Sequence, residues 1–389
     1  MSILTTGPVE PVSSGEFDIP VTDPQRRADV EQKHRIVAEF LQAHRYDALL
    51  LQRPDNIAWL TAGADVSRGG SSLPTAALFI TPEGRVVVTS DTDSAEIFNR
   101  HLPGLGFQLK ERPWGEPRHG LVEDLCRGRT VASDTGFGPT QDVSAHLGRM
   151  RIPYTSLECE RSRRLGRCVA HAVEATARSC RSEQTEAELA GEVSHRLIKQ
   201  QIIPERIQVW ADGRSEQYPH WSYGTDRVQR YAAIAVVGRR WGQCVAAART
   251  VCFGDIPDEL LAGYQRAALV QTTGMFFSQP NWELFETWKR VRRIYEKFGC
   301  ADEWRRAEQA EIIGYEVCEV PVVPDSEFRI ESRMAVHWHP FVGPALLSDT
   351  ILVADNGFDI LTPAEDWPRL QIDVKGITID RPAIFHRDA

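Results

Sequence analysis

The run His337-Trp338-His339-Pro340 holds two residues whose type and spacing could do chemistry. Side chains alternate along a strand, so both imidazoles would project from one face and Trp338 from the other. A same-face pair can bind one transition metal or grip a substrate carboxylate, with Glu311 or Cys318 completing a single-ion site. The plainer reading is one histidine packed in a cavity and the other hydrogen-bonded for structure. His220 lies in the polar, aromatic segment Tyr218-Pro219-His220-Trp221. Imidazole titrates near neutrality, so His220 can protonate a departing nitrogen or take a proton from water. A histidine satisfied within an aromatic core is its alternative.

Glu319 is the best-placed carboxylate, as a base or as the group holding an imidazole in its working tautomer. Inside a largely apolar strand it would need a partner, which makes a structural ion pair the competing role. Glu311 and Glu316 are lesser candidates that would face away from each other on a strand. Cys318 could be a nucleophile beside a histidine or a small buried filler. Trp221, Trp241 and Trp338 could line an aromatic box for a cationic or planar ligand, with core packing as the default. Glu183, Glu186, Glu188 and Glu192 read as a solvated helix face.

The elements that must position these groups follow from periodicity. A polar arm is expected over 1–24, from its aperiodic Pro, Gly, Ser and Thr. Val30, Ile36, Val37, Phe40 and Leu41 share one helical face, and residues 46–51 form a short buried strand. Strands at 76–80 and 85–89 flank Pro82-Glu83-Gly84 as a hairpin, and 129–133 is a further strand. A compact α/β domain therefore spans 25–155. A polar, arginine-rich passage over 157–167 bridges to the second domain, 156–389. There Thr185 and Glu188 form a capping box, with Leu189, Val193 and Leu197 continuing the helix. Strand-rich stretches at 207–253 and 312–361 enclose helices at about 258–277 and 282–298. The fold class is α+β.

Bulk properties exclude several classes of function. The 389 residues are 42% hydrophobic and 25% charged, with mean hydropathy −0.33 and pI near 5.7. A net charge of −9 disfavours non-specific nucleic-acid binding, and no apolar run approaches a membrane span. The first twenty residues lack a basic segment followed by a long apolar core, so they do not read as a signal peptide. Eight cysteines occur singly without a CxxC pair, which fits free thiols in the cytoplasm.

Short motifs over residues 26 to about 380 resemble one family. Asp55-Asn56-Ile57-Ala58-Trp59-Leu60-Thr61-Ala62-Gly63 is similar to an "N-I-x-Y-L-T-G" strand and turn. Residues 213–220 resemble the strand bearing a substrate histidine, with His220 in its place. Arg249-Thr250-Val251-Cys252-Phe253-Gly254 is similar to an "R-T-h-x-x-G" hairpin end. Glu319-Val320-Pro321 matches the end of "H-E-x-P", with Cys318 for the histidine. Residues 334–340 and 349–357 are similar to "G-M-x-h-x-h-E-P" and "E-D-T-h-h-V-t-x-x-G" strands. Together they resemble the methionine aminopeptidase, Xaa-Pro peptidase and creatinase family, whose pita-bread domain follows a small α/β domain.

The resemblance implies five metal-ligand positions, and here they read Ala235, Ala246, Glu311, His339 and Ser348. Two close cations need bridging carboxylates, which alanine cannot supply, so no metal pair and no cofactor are expected. Creatinase is itself a metal-free member that relies on its histidine and glutamates. By the same resemblance Arg249 lies near the former metal edge, as an anion anchor or an ion-pair partner. Arg68, on a loop that creatinase-like dimers lend to the partner's pocket, would reach the substrate in trans or remain a solvated arginine.

Three functional readings follow. The first is a metal-independent, creatinase-like hydrolase cleaving C–N bonds of a small amino-acid- or peptide-like substrate. His220 would be its acid/base, Glu319 or the His337/His339 pair its helpers, and Arg249, His337, Cys318, Trp221 and Arg68 its substrate contacts. The second is an inactive homologue that binds a peptide or small molecule, and the third a metallo-aminopeptidase with a rebuilt site. A homodimer is implied by resemblance, with neither nucleic acid nor membrane as partner.

Overall fold

The computed structural model describes residues 23–68 and 74–387. All but the last two residues of the expected N-terminal arm therefore fall outside it. Asp23 caps α1 (Pro24–His44) by accepting from the backbone N–H of Gln25 and Arg26, leaving fewer orphan donors at the helix start. Next come β1 (Ala48–Leu51), α2 (Pro54–Leu60), β2 (Ala77–Ile80), β3 (Arg85–Ser90) and α3 (Asp91–Glu96). They are followed by β4 (Phe107–Arg112), α4 (His119–Cys126), β5 (Val131–Ser133), β6 (Gln141–Asp142) and α5 (Ser144–Arg151). The six strands form one mixed sheet in the order β4-β3-β2-β1-β5-β6. Four consecutive apolar residues make β1 a central strand buried on both faces. The segment similar to a strand and turn, 55–63, is instead α2, with Pro54 at its first position and its cap N–H turned back onto Ile57 and Trp59.

The arginine-rich passage expected as a bridge is the first half of a 24-residue helix, α6 (Ser156–Ser179). Its start is a second capping box, Thr155 with Glu158, a signal of the same kind as the one read at Thr185. Its small and apolar residues, among them Leu165, Val169, Ala172 and Val173, are buried, while its arginines are half-buried along the flanks. Then follow α7 (Glu186–Ile198), β7 (Ile203–Ala211), β8 (Tyr231–Arg240), β9 (Gln243–Phe253), α8 (Asp258–Phe277) and α9 (Leu284–Lys297). Strands resume with β10 (Ala310–Ile313), β11 (Val320–Pro321), β12 (Ala335–Trp338), β13 (Phe341–Val342) and β14 (Ala345–Leu346). The chain ends in β15 (Ser348–Ala354), β16 (Gly357–Ile360), β17 (Arg369–Val374), β18 (Ile377–Pro382) and β19 (Phe385–Arg387).

The second sheet runs β11-β10-β12-β15-β9-β8-β7. Helices cover one face: α6 and α7 pack on β7 to β9, and α8 and α9 on the β10, β12 and β15 side. Gly274 of α8 is required there, because a Cβ would lie 2.6 Å from the Trp338 ring. This is a mixed α+β fold with a small N-terminal sheet ahead of a large, mainly antiparallel one. The two sheets are clipped together by ions. Arg151 donates to Glu319 at 2.6 and 3.0 Å and also pairs with Asp55 and Glu316.

Candidate active site

The face of the large sheet left free of helices carries the site, and strand alternation chooses its residues. On β7, Arg206, Gln208 and Trp210 point to it. Arg206 and Gln208 stand opposite Val237 and Ala235 on β8, which stand opposite Ala246 and Ala248 on β9. Ser348 opens β15 beside Ala248, and Glu311 of β10 lies directly opposite His337 of β12. Most of these line a narrow cavity, closed by Phe341 and Leu346 and rimmed by Ala307, Glu308, Pro219 and His220. The space open to water within it is about 40 Å³, enough for roughly three waters at about 10–15 Å³ each.

At its base the side chains form a connected chain. His337 Nδ1 lies 2.7 Å from Glu311 Oε1, and His337 Nε2 lies 2.6 Å from Ser348 Oγ. The other Glu311 oxygen is 2.6 Å from His339 Nε2. The imidazoles stack at 4.4 Å with 23° between planes, as their period-two spacing requires. Burial would raise the Glu311 carboxyl, but the His339 and His337 imidazoles override it and hold it below the carboxylate range. Burial, reinforced by His339, pushes His337 down to about 4 against the pull of Glu311. His337 is therefore neutral at neutral pH. With its Nδ1–H donated to the Glu311 carboxylate, its Nε2 lone pair can accept the Ser348 hydroxyl proton. Hydroxyl, imidazole and carboxylate are thus hydrogen-bonded in series.

Other residues singled out from sequence lie elsewhere. His220 is on a loop, not a strand. Its side chain is 65% exposed, with Nε2 3.5 Å from Glu308 at the cavity rim. Glu319 sits at a bend ahead of β11 and belongs to the clip between sheets, where Arg151 and the N–H groups of Tyr315 and Glu316 saturate it. Arg249 is fully buried on the helix-covered face, between Glu174 at 3.0 Å and Asp349 at 2.9 Å. One step along β9 from Ala248, it points away from the cavity and cannot anchor an anion there. Cys318 is outside the cavity lining. Partial burial, with Glu311 and Glu319 nearby, pushes its thiol up to about 11, which leaves little thiolate at neutral pH.

Arg68 pairs with Asp93 at the surface. The three tryptophans are dispersed: Trp338 is buried against α8, Trp241 lies in the β8–β9 turn, and Trp221 donates to Glu186. Glu186 is not part of a solvated face. Its buried carboxylate accepts from Ala211 N, Gly224 N and the Trp221 indole at 2.7–2.9 Å, and so pins the loop that carries His220. Sequence reasoning also missed Arg206, because the register shift between Pro204 and Arg206 sets its parity and no local composition announces a bulge.

The profile of metallopeptidase family M24 matches residues 160–360, which include every strand around the cavity. This chain belongs to that family. The fold superposes on an Xaa-Pro dipeptidase from Bacillus anthracis with a TM-score of 0.74, at 15% identity over 92% of this chain and 100% of that one. Dipeptidase PepE from Mycobacterium ulcerans gives 0.75 at 16%, covering 93% and 99%. The N-terminal domain of FACT complex subunit SPT16 from Cicer arietinum gives 0.66 at 14%, covering 88% and 96%. No curated protein matches the sequence significantly.

The M24 family name implies metal ions, and the donors here can be tested against them. Ala235 and Ala246 line the cavity without a ligand atom, and Glu311 is the only carboxylate in the compact His/Cys/Asp/Glu group found among the described residues. That set does not fit a bridged pair of ions. Glu311, His337 and His339 suffice in number for one ion. Their nitrogens, however, lie 2.6–2.7 Å from the carboxylate oxygens. Ligands around a tetrahedral ion with bonds of about 2.0–2.1 Å are separated by about 3.3 Å. As placed, the three groups are joined by hydrogen bonds, and holding an ion would need these atoms to part by about 0.6–0.7 Å.

Proposed function

We propose that this M24 protein is a metal-independent hydrolase acting on a C–N bond of a small amino-acid- or peptide-like molecule. The Glu311-anchored imidazoles at the cavity base carry its proton transfers. The observation supporting this reading is the single buried carboxylate bonded to both His337 and His339 beneath a solvent-connected cavity. A neutral imidazole held in one tautomer by a carboxylate is the arrangement a general base needs. Arg206, on the same wall, offers a guanidinium to a substrate carboxylate. His220 at the rim remains a candidate donor to the departing nitrogen. The test is turnover of short dipeptides and amino-acid amides by protein purified through chelator. We expect turnover indifferent to added EDTA and reduced at least about 100-fold in His337→Gln. Stoichiometric metal in the purified protein, with activity lost on chelation, would replace this reading with a rebuilt metal centre.

A second reading, binding without turnover, is favoured by one observation: about 40 Å³ of open space admits only a small group. It predicts a calorimetric binding signal for a small amino acid or amide with no product after prolonged incubation. A homodimer and a cytoplasmic location belong to the same proposal. The first rests on family likeness, and the second is supported by eight free cysteines. Light scattering at the mass of one chain would exclude the dimer.

A further inference from the structure

We infer that Ser348 is a covalent nucleophile, activated by His337 and oriented through Glu311, so that a serine relay occupies a metallopeptidase scaffold. The inference deepens the hydrolase reading and rests on it. Three observations carry it. Ser348 Oγ is 2.6 Å from His337 Nε2, and the opposite ring nitrogen is 2.7 Å from Glu311 Oε1. Ser348 and His337 both line the cavity, so the hydroxyl has access to a small substrate. The strand ladder holds the geometry: Ser348 is paired with Ala248, His337 with Glu311 and Thr350, and Thr350 bridges the N–H and C=O of Ala246. Residues are recognised in such relays by geometry and role rather than by fold.

The chemistry balances with water as the sole co-reactant. Ser348 Oγ bonds to the carbonyl carbon of a short acyl amide while its proton moves to His337 Nε2. The C–N bond then breaks, and the amine leaves with that proton, giving an ester on Ser348. Water next gives a proton to Nε2 as its oxygen bonds to the acyl carbon. The ester bond breaks, Ser348 Oγ recovers the proton, and a carboxylic acid departs. The cavity restricts the acyl group to a few heavy atoms, and Arg206 lines the same cavity.

The experiment treats the full-length protein with methanesulfonyl fluoride and follows intact mass, peptide mapping and amide turnover. The expected result is one adduct per chain on Ser348, absent in Ser348→Ala and slowed about 100-fold or more in His337→Gln. Turnover should fall about 1,000-fold or more in Ser348→Ala. No adduct at Ser348, or labelling indifferent to His337, overturns the nucleophile. Turnover kept in Ser348→Ala but lost in His337→Gln overturns it too, while leaving the metal-independent hydrolase standing with water as nucleophile. Absence of both adduct and turnover overturns both. Should Ser348→Ala misfold, Ser348→Cys serves: alkylation by iodoacetamide faster than at Cys318 supports the relay, and alkylation no faster rejects it.

Discussion

The two faces of the large sheet use the same strands for opposite ends. Stepping one residue along β9, β12 and β15 exchanges Ala248, His337 and Ser348 for Arg249, Trp338 and Asp349. On the helix-covered face Asp349 joins Arg249 and Arg381, and Arg249 also holds Glu174. Gln271 links Arg381 to the Trp338 carbonyl. That network is closed from water and holds strands to helices. On the open face, Glu311, His337, His339 and Ser348 are similarly connected, but His337, His339 and Ser348 border a cavity. Ions sealed under helices fix structure, whereas groups with the same polarity beside free space can act on a substrate. Access separates the two, not residue type.

Breaking the sealed face should have the largest effect. Asp349→Ala leaves two buried guanidiniums without their shared carboxylate, and we expect a loss of about 3–5 kcal/mol in denaturant unfolding. Glu311→Gln, on the open face, should cost less, about 1–3 kcal/mol, because water from the cavity can reach the imidazoles. It should nevertheless abolish turnover. A stable, active Glu311→Gln protein would erase the distinction between the faces.

Acidity provides a finer test. His337 is held at about 4 in the folded protein against about 6.5 unfolded. The unfolded chain thus binds the extra proton between those values, and stability falls as pH drops from about 6.5 towards 4. Glu311, whose folded value is lowered, adds a further loss below about 4.5. Melting temperature followed from pH 7 to 4 should show this slope, flattened in His337→Gln. With Glu311, His339, Ser348 and Arg206 around it, the same base should keep the acid limb of kcat/KM well below 6.5. A limb at 6.5 would assign the base to a residue other than His337. The smallest effect is expected at His220: His220→Ala should change stability by less than about 0.5 kcal/mol, so any loss of turnover would be chemical.

Much of this architecture was legible from local pattern. The helix expected over 258–277 is α8, and the hairpin around Pro82-Glu83-Gly84 joins β2 and β3. The common face of His337 and His339 followed from alternation alone. Errors arose where parity or solvent access depended on the rest of the chain. Arg249 has the charge of an anchor but the wrong face, and Glu319 has an acid's chemistry in a bend filled by Arg151. Glu186 looked solvated beside three other glutamates, yet it is buried under the His220 loop. Ser348 drew attention only as a position lacking an expected metal ligand, since nothing in Leu347-Ser348-Asp349 shows that His337 lies beside it across the sheet.

The order of residues determined the strands, helices, caps and family likeness, because periodicity, turn residues and capping side chains act within a few positions of one another. It also determined that alanines stand where two ligands were expected. Which face each strand turns to the cavity was decided only by folding, through a bulge, a register and the helices covering one side. The joining of Glu311, His337 and Ser348 needed three strands to meet across as many as 37 residues of sequence. Contacts of that separation are set by how the sheet closes, and nothing local to any of the three residues encodes them.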